Sequence, residues 1–308
     1  MATNFQKRRI RITFQLMAGS FADGSDTLTV ENASCTVNYQ NFANCFAALP
    51  RIALRVYGLS YETLKRLVIT KTQALTIQKQ NRVRVEVSDG NGGMALLFDG
   101  AIYGACVDFN TAPNIALVIV AFNCGEKIAD KAPPLNYQGE VEIKNVLNDV
   151  ISGQMGLEFF DGGVTAKGNN ISLNGSSVQK LRTLARDYRL SIFFNNDVIA
   201  VSPLGNSSGR ERLEFEISIN TGLLGFPTLT EYGAACKILY NPAILVGDII
   251  KLKSSINSVL EKNRTSTEGL ADGEWFVNGM DVEISSETPG GDWSMELRLH
   301  NISTQATA

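Results

Sequence analysis

The 308-residue sequence predicts a mainly β fold with a small α+β insert. Three observations carry that expectation. Strand-like runs, several alternating apolar and polar residues with period two, recur within residues 8–122 and again beyond residue 213. Apolar residues at helical spacing concentrate between these stretches, in 141–151 and 178–188. Segments rich in Pro, Gly and Ser, at 131–139 and 205–212, mark the joins. The expected domains are residues 1–132, 139–204 and 211–304.

In the first β unit, Ile10, Ile12 and Phe14 alternate with Arg11, Thr13 and Gln15, the pattern of a half-buried strand. FADGSD is a turn, and TLTVENASCTVNYQ continues the two-residue period through Leu28, Val30 and Ala33. RIALRVYGLS is the next strand. Ser60 then suits an N-cap, and Thr63 stands where Glu or Gln would complete a capping box, so a short helix is expected through Leu67. RVRVEVSDGNGGMALLFDGAIYGACVDF reads as strand, turn and strand, with Gly100 and Gly104 as kinks. PNIALVIVAFN adds the last strand. Such closely spaced strands suggest a barrel or a sandwich.

KAPPLNYQG has the composition of a linker. Val141, Val146, Leu147, Val150 and Ile151 then mark a helix, and LEFFDGGVTA and NNISLNG are short strands. A second helix, capped by Ser176 or Ser177, carries Val178, Leu181, Leu184, Ala185 and Tyr188 as its apolar stripe. SIFFNNDVIAVSPL is a hairpin, and GNSSGRER is a flexible joint. The second β unit holds LEFEISI, ACKILYNPAI, VGDIIKLKSSI, EWFVNGMDVEISS and SMELRLHN. Residues 257–273 and 287–293 are expected excursions, and STQATA a disordered tail. Within this unit SINTGLLGFPTL is unusual. Gly222 and Gly225 permit tight backbone, and Pro227 excludes a central ladder position. The expectation is a bent, partly buried connector anchored by Leu223, Leu224 and Phe226, which face either their own core, the favoured reading, or a neighbouring subunit.

The chemistry available is narrow. Net charge is −3, which gives no electrostatic footprint for nucleic acid. The basic cluster Lys7, Arg8, Arg9 and Arg11 reads as a solvated N-terminal strand. Cys35, Cys45, Cys106, Cys124 and Cys236 are odd in number, lack CxxC spacing and sit in apolar settings, so buried reduced thiols are expected, in keeping with folding in the cytosol. No apolar segment follows the basic start as in a signal peptide, and none is long enough to span a membrane. His300 is the one histidine, so histidine-based nucleophile and metal systems have little to work with. No cofactor or metal is expected. VSDGNGG resembles a phosphate loop, but a strand follows it where a helix N-terminus is needed. Asp99, Asp108, Glu158 and Asp161 are candidate glycosidase carboxylates, read first as turn and surface residues. Trp275 and Trp293 suit a carbohydrate platform less well than core or interface anchors.

Several phrases in order resemble one family. They are RRIRITFQL with DTLTVENASCTVNY, then ALRVYGLSYETLKRL, FDGAIYGACVDFNTAPNIALVIVAF, SVQKLRTLARDYRLSIFFNNDVIAVSP and TGLLGFPTLTEYGAACKILYNPAILVGDIIKLKSS. Over about 250 residues this order is similar to that of the baseplate hub proteins of contractile-tailed bacteriophages. The resemblance implies two tail-tube-like β-barrel domains connected by the α+β module. It implies a homotrimeric ring that adapts the six-fold tail tube to the three-fold central spike and lets DNA pass. The implied partners are further copies, the tail tube protein, the central spike protein and other baseplate subunits. The implied location is the virion tail, after synthesis in the host cytoplasm, with no membrane anchor. The role is structural, not enzymatic. Leu223, Leu224, Phe226, Pro227, Trp275 and Trp293 are the candidate seating or interface residues. A β-rich carbohydrate-binding adhesin and a tail-associated hydrolase are the alternatives.

Overall fold

The computed structural model describes residues 8–43, 48–68, 81–89, 92–110, 112–209, 215–231, 233–254 and 271–301. The chain divides into two units. Unit 1 takes residues 1–40, 49–130 and 282–293, and unit 2 takes 41–48, 131–281 and 294–308.

Alternation at the start of the chain becomes an antiparallel sheet in unit 1. Its strands are β1 (Ile10–Gln15), β2 (Thr27–Glu31), β3 (Cys35–Phe42), β4 (Arg51–Tyr57), β5 (Arg82–Ser88), β6 (Met94–Asp108) and β7 (Ala116–Phe122). Their order is β3-β4-β7-β6-β5-β1-β2. Register puts Ile12 beside Val30 on one side and Val85 on the other; Ile12 and Val85 are buried in the core, and Val30 is partly exposed. The run expected as one strand from Thr27 onward is broken at Asn32, whose left-handed backbone (φ 57°) separates β2 from β3. Asn tolerates that conformation better than most residues.

Helix α1 (Tyr61–Leu67) starts where its cap predicts. Ser60 Oγ accepts the Thr63 backbone N–H at 3.2 Å. The Thr63 hydroxyl lies 2.9 Å from Ser60 Oγ, so it meets the cap side chain directly. Leu64 and Leu67 bury the inner face. Of the two expected kinks, Gly104 lies at a register shift between β6 and β7, the signature of a bulge. Gly100 serves close approach instead. A Cβ there would press on the Phe122 carbonyl and the Phe98 ring at separations real Cβ atoms do not reach.

Unit 2 begins with a compact module. Its strands are β8 (Leu135–Asn136), β9 (Glu140–Glu142), β10 (Glu158–Asp161), β11 (Lys167–Asn169), β12 (Ser172–Leu173), β13 (Leu190–Asn195) and β14 (Val198–Pro203). Helix α2 (Ile143–Asn148) runs into a π-helical turn, Asp149–Met155, which Gly156 ends in a left-handed conformation. Helix α3 (Ser177–Asp187) carries a full capping box, with Ser176 and Gln179 bonding each other's backbone N–H. Strand order β10-β14-β13 pairs β10 with β14 in parallel.

The expected linker is not a free tether. β8 pairs with β12, and Gln154 Nε2 donates to the Pro133 carbonyl at 2.9 Å. Lys180 on α3, fully buried, donates to the same carbonyl and to Gln154 Oε1. The expected joint is also partly anchored, because Ser208 is buried with both its N–H and its hydroxyl donating to the Gly247 carbonyl at 3.0 Å.

The rest of unit 2 is β15 (Phe215–Ser218), β16 (Leu223–Thr230), β17 (Gly233–Leu239), β18 (Ile249–Lys253), β19 (Gly273–Ser286) and β20 (Trp293–Asn301). The far end of the β19–β20 hairpin, which includes the excursion expected at 287–293, belongs to unit 1. The path β16-β17-β20-β19 runs to one side, and β15 pairs with β18, which pairs with β19. Most of the excursion expected at 257–273 and all of the tail from 303 lie outside the described residues. Among the described residues, no helix is long and apolar enough to cross a membrane.

Candidate functional site

Three of the four candidate carboxylates hold local structural partners. Asp99 meets Arg82 at 2.7 Å and Arg84 at 3.8 Å. Asp108 accepts the Asn110 backbone N–H and an Arg55 guanidinium bond at 2.8 Å, which together hold its carboxyl below the usual range. Asp161 Oδ1 accepts the N–H groups of Gly163 and Val164 at 3.0 and 2.8 Å, an Asx turn. Glu158 is exposed at the start of β10. In each case the oxygen is either committed to a structural partner or open to water.

His300 is half-buried on β20, edge-on to Phe276 with centroids 5.4 Å apart, and desolvation lowers its pKa. Trp275 is buried and donates from Nε1 to the Ala271 carbonyl at 3.0 Å, so it is a core residue with its polar handle satisfied. Trp293 lies partly exposed under the Arg8 guanidinium, 5.5 Å from the ring centre. A two-tryptophan carbohydrate platform therefore lacks one of its members. Arg9 reaches the Gly92 carbonyl at 3.4 Å, and Arg11 bonds Glu31 and Glu86. Each described arginine of the basic cluster thus has a partner within unit 1, and Lys7 lies outside the described residues. The glycine-rich turn joins β5 to β6, with Asp89 and Gly93 exchanging bonds. Among the described residues no group of three His, Cys, Asp or Glu side chains is placed to hold a metal.

The cysteines correct one expectation. Cys35, Cys124 and Cys236 are buried, but Cys106 is exposed, because its place on β6 alternates with the buried Ala105. Burial pushes the Cys35 thiol up to about 11 and the Cys236 thiol up to about 12. Cys45 lies outside the described residues.

The segment from Leu223 to Pro227 is where polar chemistry gives way to shape. It is a strand, β16, rather than an irregular connector, and among the described residues it has a neighbour on one side only, β17. The register slips between Leu224 and Thr228, so Gly225, Phe226 and Pro227 form a bulge. Pro227 has no N–H to leave unpaired on that edge. Of the three expected anchors, Leu223 alone is buried in its own core. Leu224 is 38% exposed and Phe226 69% exposed. Sequence reasoning missed Leu229, which is 49% exposed although its register partner Ala234 is buried. Ile219 and Leu239 are exposed in the same unit. From Ser218 to Thr230 there is no charged residue. β16 thus presents large exposed apolar side chains and no charge on a strand that is paired on one side only among the described residues.

The fold has counterparts among solved structures. A tail protein from Neisseria meningitidis MC58 superposes with a TM-score of 0.55 at 9% identity, over 96% of this chain and 97% of that one. The prophage MuSo2 43 kDa tail protein from Shewanella oneidensis gives 0.56 at 7% identity, over 94% and 97%. The E. coli c3393 protein gives 0.55 at 9% identity, over 87% and 73%. It is described as a component of the type VI secretion system with structural similarity to the T4 tail proteins gp27 and gp5. At such identities these matches establish a shared fold. No curated protein matches at the level of sequence. A family model described as baseplate hub gp41 matches residues 9–266. With most of its length inside that match, the chain belongs to the baseplate hub gp41 family.

Proposed function

We propose that this chain is a structural subunit of a contractile tail. Three copies form a ring that joins the six-fold tail tube to the three-fold central spike and leaves a lumen for DNA. The observation that carries this reading is the baseplate hub match over residues 9–266, on a fold similar to that of tail proteins along nearly their whole length. In this reading residues 1–132 and 211–304 are tube-like β units, and residues 139–204 are the module between them. The partners are further copies, the tube protein, the spike protein and other baseplate subunits, all in the virion tail. A chain whose net charge is −3 suits a lumen through which a polyanion must slide without sticking. The work is binding, so it calls for no cofactor, and the local partners of Asp99, Asp108 and Asp161 support a structural role over hydrolysis.

Light scattering tests this directly. The purified chain should run as a trimer, or trimerise when the tube or spike protein is added. A chain that stays monomeric with both partners present overturns the reading. Turnover of peptidoglycan by the purified chain would restore the hydrolase alternative.

A further inference from the structure

Two strands, one in each unit, have the same unfinished character. β16 ends the path through β17 and β20, and β2 ends the path through β5 and β1. Each leaves one row of backbone groups without a strand partner among the described residues. Each also leaves part of a core-facing row open. On β2, Leu28 and Val30 lie in register with the buried Phe14 and Ile12, yet both remain partly exposed. On β16, Leu229 lies in register with Ala234, which in turn faces the buried Leu299, yet Leu229 is half exposed. A core row that fades at an edge strand is completed when another strand is laid beside it.

Charge permits the two edges to meet. β16 carries no charged residue. β2 carries one, Glu31, and Arg11 of the same unit already answers it. Burying these edges together would therefore strand no charge. The bulge at Gly225–Pro227 restricts backbone pairing to the flanks of β16 and lifts Phe226 out as a side-chain anchor.

We infer that the β16 edge of one copy docks on the β2 edge of the next copy, with Phe226 as the anchor of the contact. Since the two edges differ, the contact is heterologous. Heterologous contacts of this kind close a ring when the rotation per copy allows it. This inference rests on the ring reading above and assigns the surface that makes it.

The test is disulfide trapping between outward-facing threonines of the two edges, in a chain with Cys45→Ser and Cys106→Ser. Chains that carry Thr29→Cys together with Thr228→Cys should give a ladder of cross-linked species ending at the trimer on mild oxidation. Either substitution alone should give none. Thr27→Cys and Thr230→Cys repeat the experiment in the neighbouring registers. Phe226→Asp, and the milder Phe226→Ser, should reduce the assembled fraction at least tenfold while circular dichroism and Tm stay those of a folded chain. Cross-linking by Thr228→Cys alone would mean that two β16 edges face each other, which overturns the inference. A trimer that no cysteine pair traps and that tolerates Phe226→Asp overturns the edge assignment and leaves the ring standing. A chain that is monomeric even with tube and spike protein overturns both.

Discussion

β13 and β16 are both apolar strands in unit 2, and each pairs on one side only. Their fates are opposite. In LSIFFN the first five residues are buried, and Phe193 and Phe194 are fully so. In LLGFPTLT only Leu223 is buried. The difference is coverage by the chain itself. The open edge of β13 is closed by side chains, since Asn41 Nδ2 donates to the Phe194 carbonyl at 2.7 Å and Asn195 Nδ2 to the Val246 carbonyl at 3.3 Å. Gly247 packs so closely that a Cβ there would meet the Phe193 ring. Nothing among the described residues performs this service for β16. Apolar sequence therefore says that a strand will be covered, but not whether its own chain does the covering.

Truncation separates the two strands most strongly. Phe193→Ala should destabilise the chain by about 3–5 kcal/mol, read as a lower urea midpoint, since it empties a filled core site. A much smaller loss would mean that β13 is less enclosed than its burial indicates. Asn41→Ala removes the cover from the Phe194 carbonyl and should cost about 1–2 kcal/mol in the same measurement. Its Oδ1 has no hydrogen-bond partner among the described residues, which keeps the expected cost from being larger. Phe226→Ser should shift the monomer's stability by less than about 0.5 kcal/mol, measured below any assembly concentration. A large loss there would place Phe226 inside its own core and erase the contrast. The smallest expected signal is chemical. Cys236 lies on the buried row of β17, directly beside β16, and its thiol is pushed up to about 12. Iodoacetamide at mildly alkaline pH should leave Cys236 unmodified while Cys106 reacts. Modification of Cys236 would show that β16 peels away from β17.

What could be read from the sequence was what short-range chemistry decides. Ser60 and Ser176 begin their helices because a hydroxyl three residues ahead of a backbone N–H is a local arrangement. The alternation of Ile10, Ile12 and Phe14 sets which face is buried, because the pleat has period two. The break at Asn32 was not legible, since a left-handed residue inside an alternating run leaves the pattern intact on both sides. Nor was the burial of Lys180, which depends on the Pro133 carbonyl 47 residues away in the chain. The candidate site was half legible. The uncharged, Gly/Pro-marked run drew attention to residues 218–229. Its exposure depends on its having no second strand neighbour among the described residues, which leaves no mark in the residues themselves.

Gly100 has a consequence for how sequences of this fold can change. The obstacle to any side chain there is partly the Phe98 ring and partly the carbonyl of Phe122, and only the first can be altered by substitution. Shortening residue 98 would clear the ring and still leave the backbone of β7 in the way. Position 100 is thus barred from drifting by a neighbour whose own identity is irrelevant. Related chains aligned on this strand are expected to hold glycine at position 100 while residues 98 and 122 vary on either side of it.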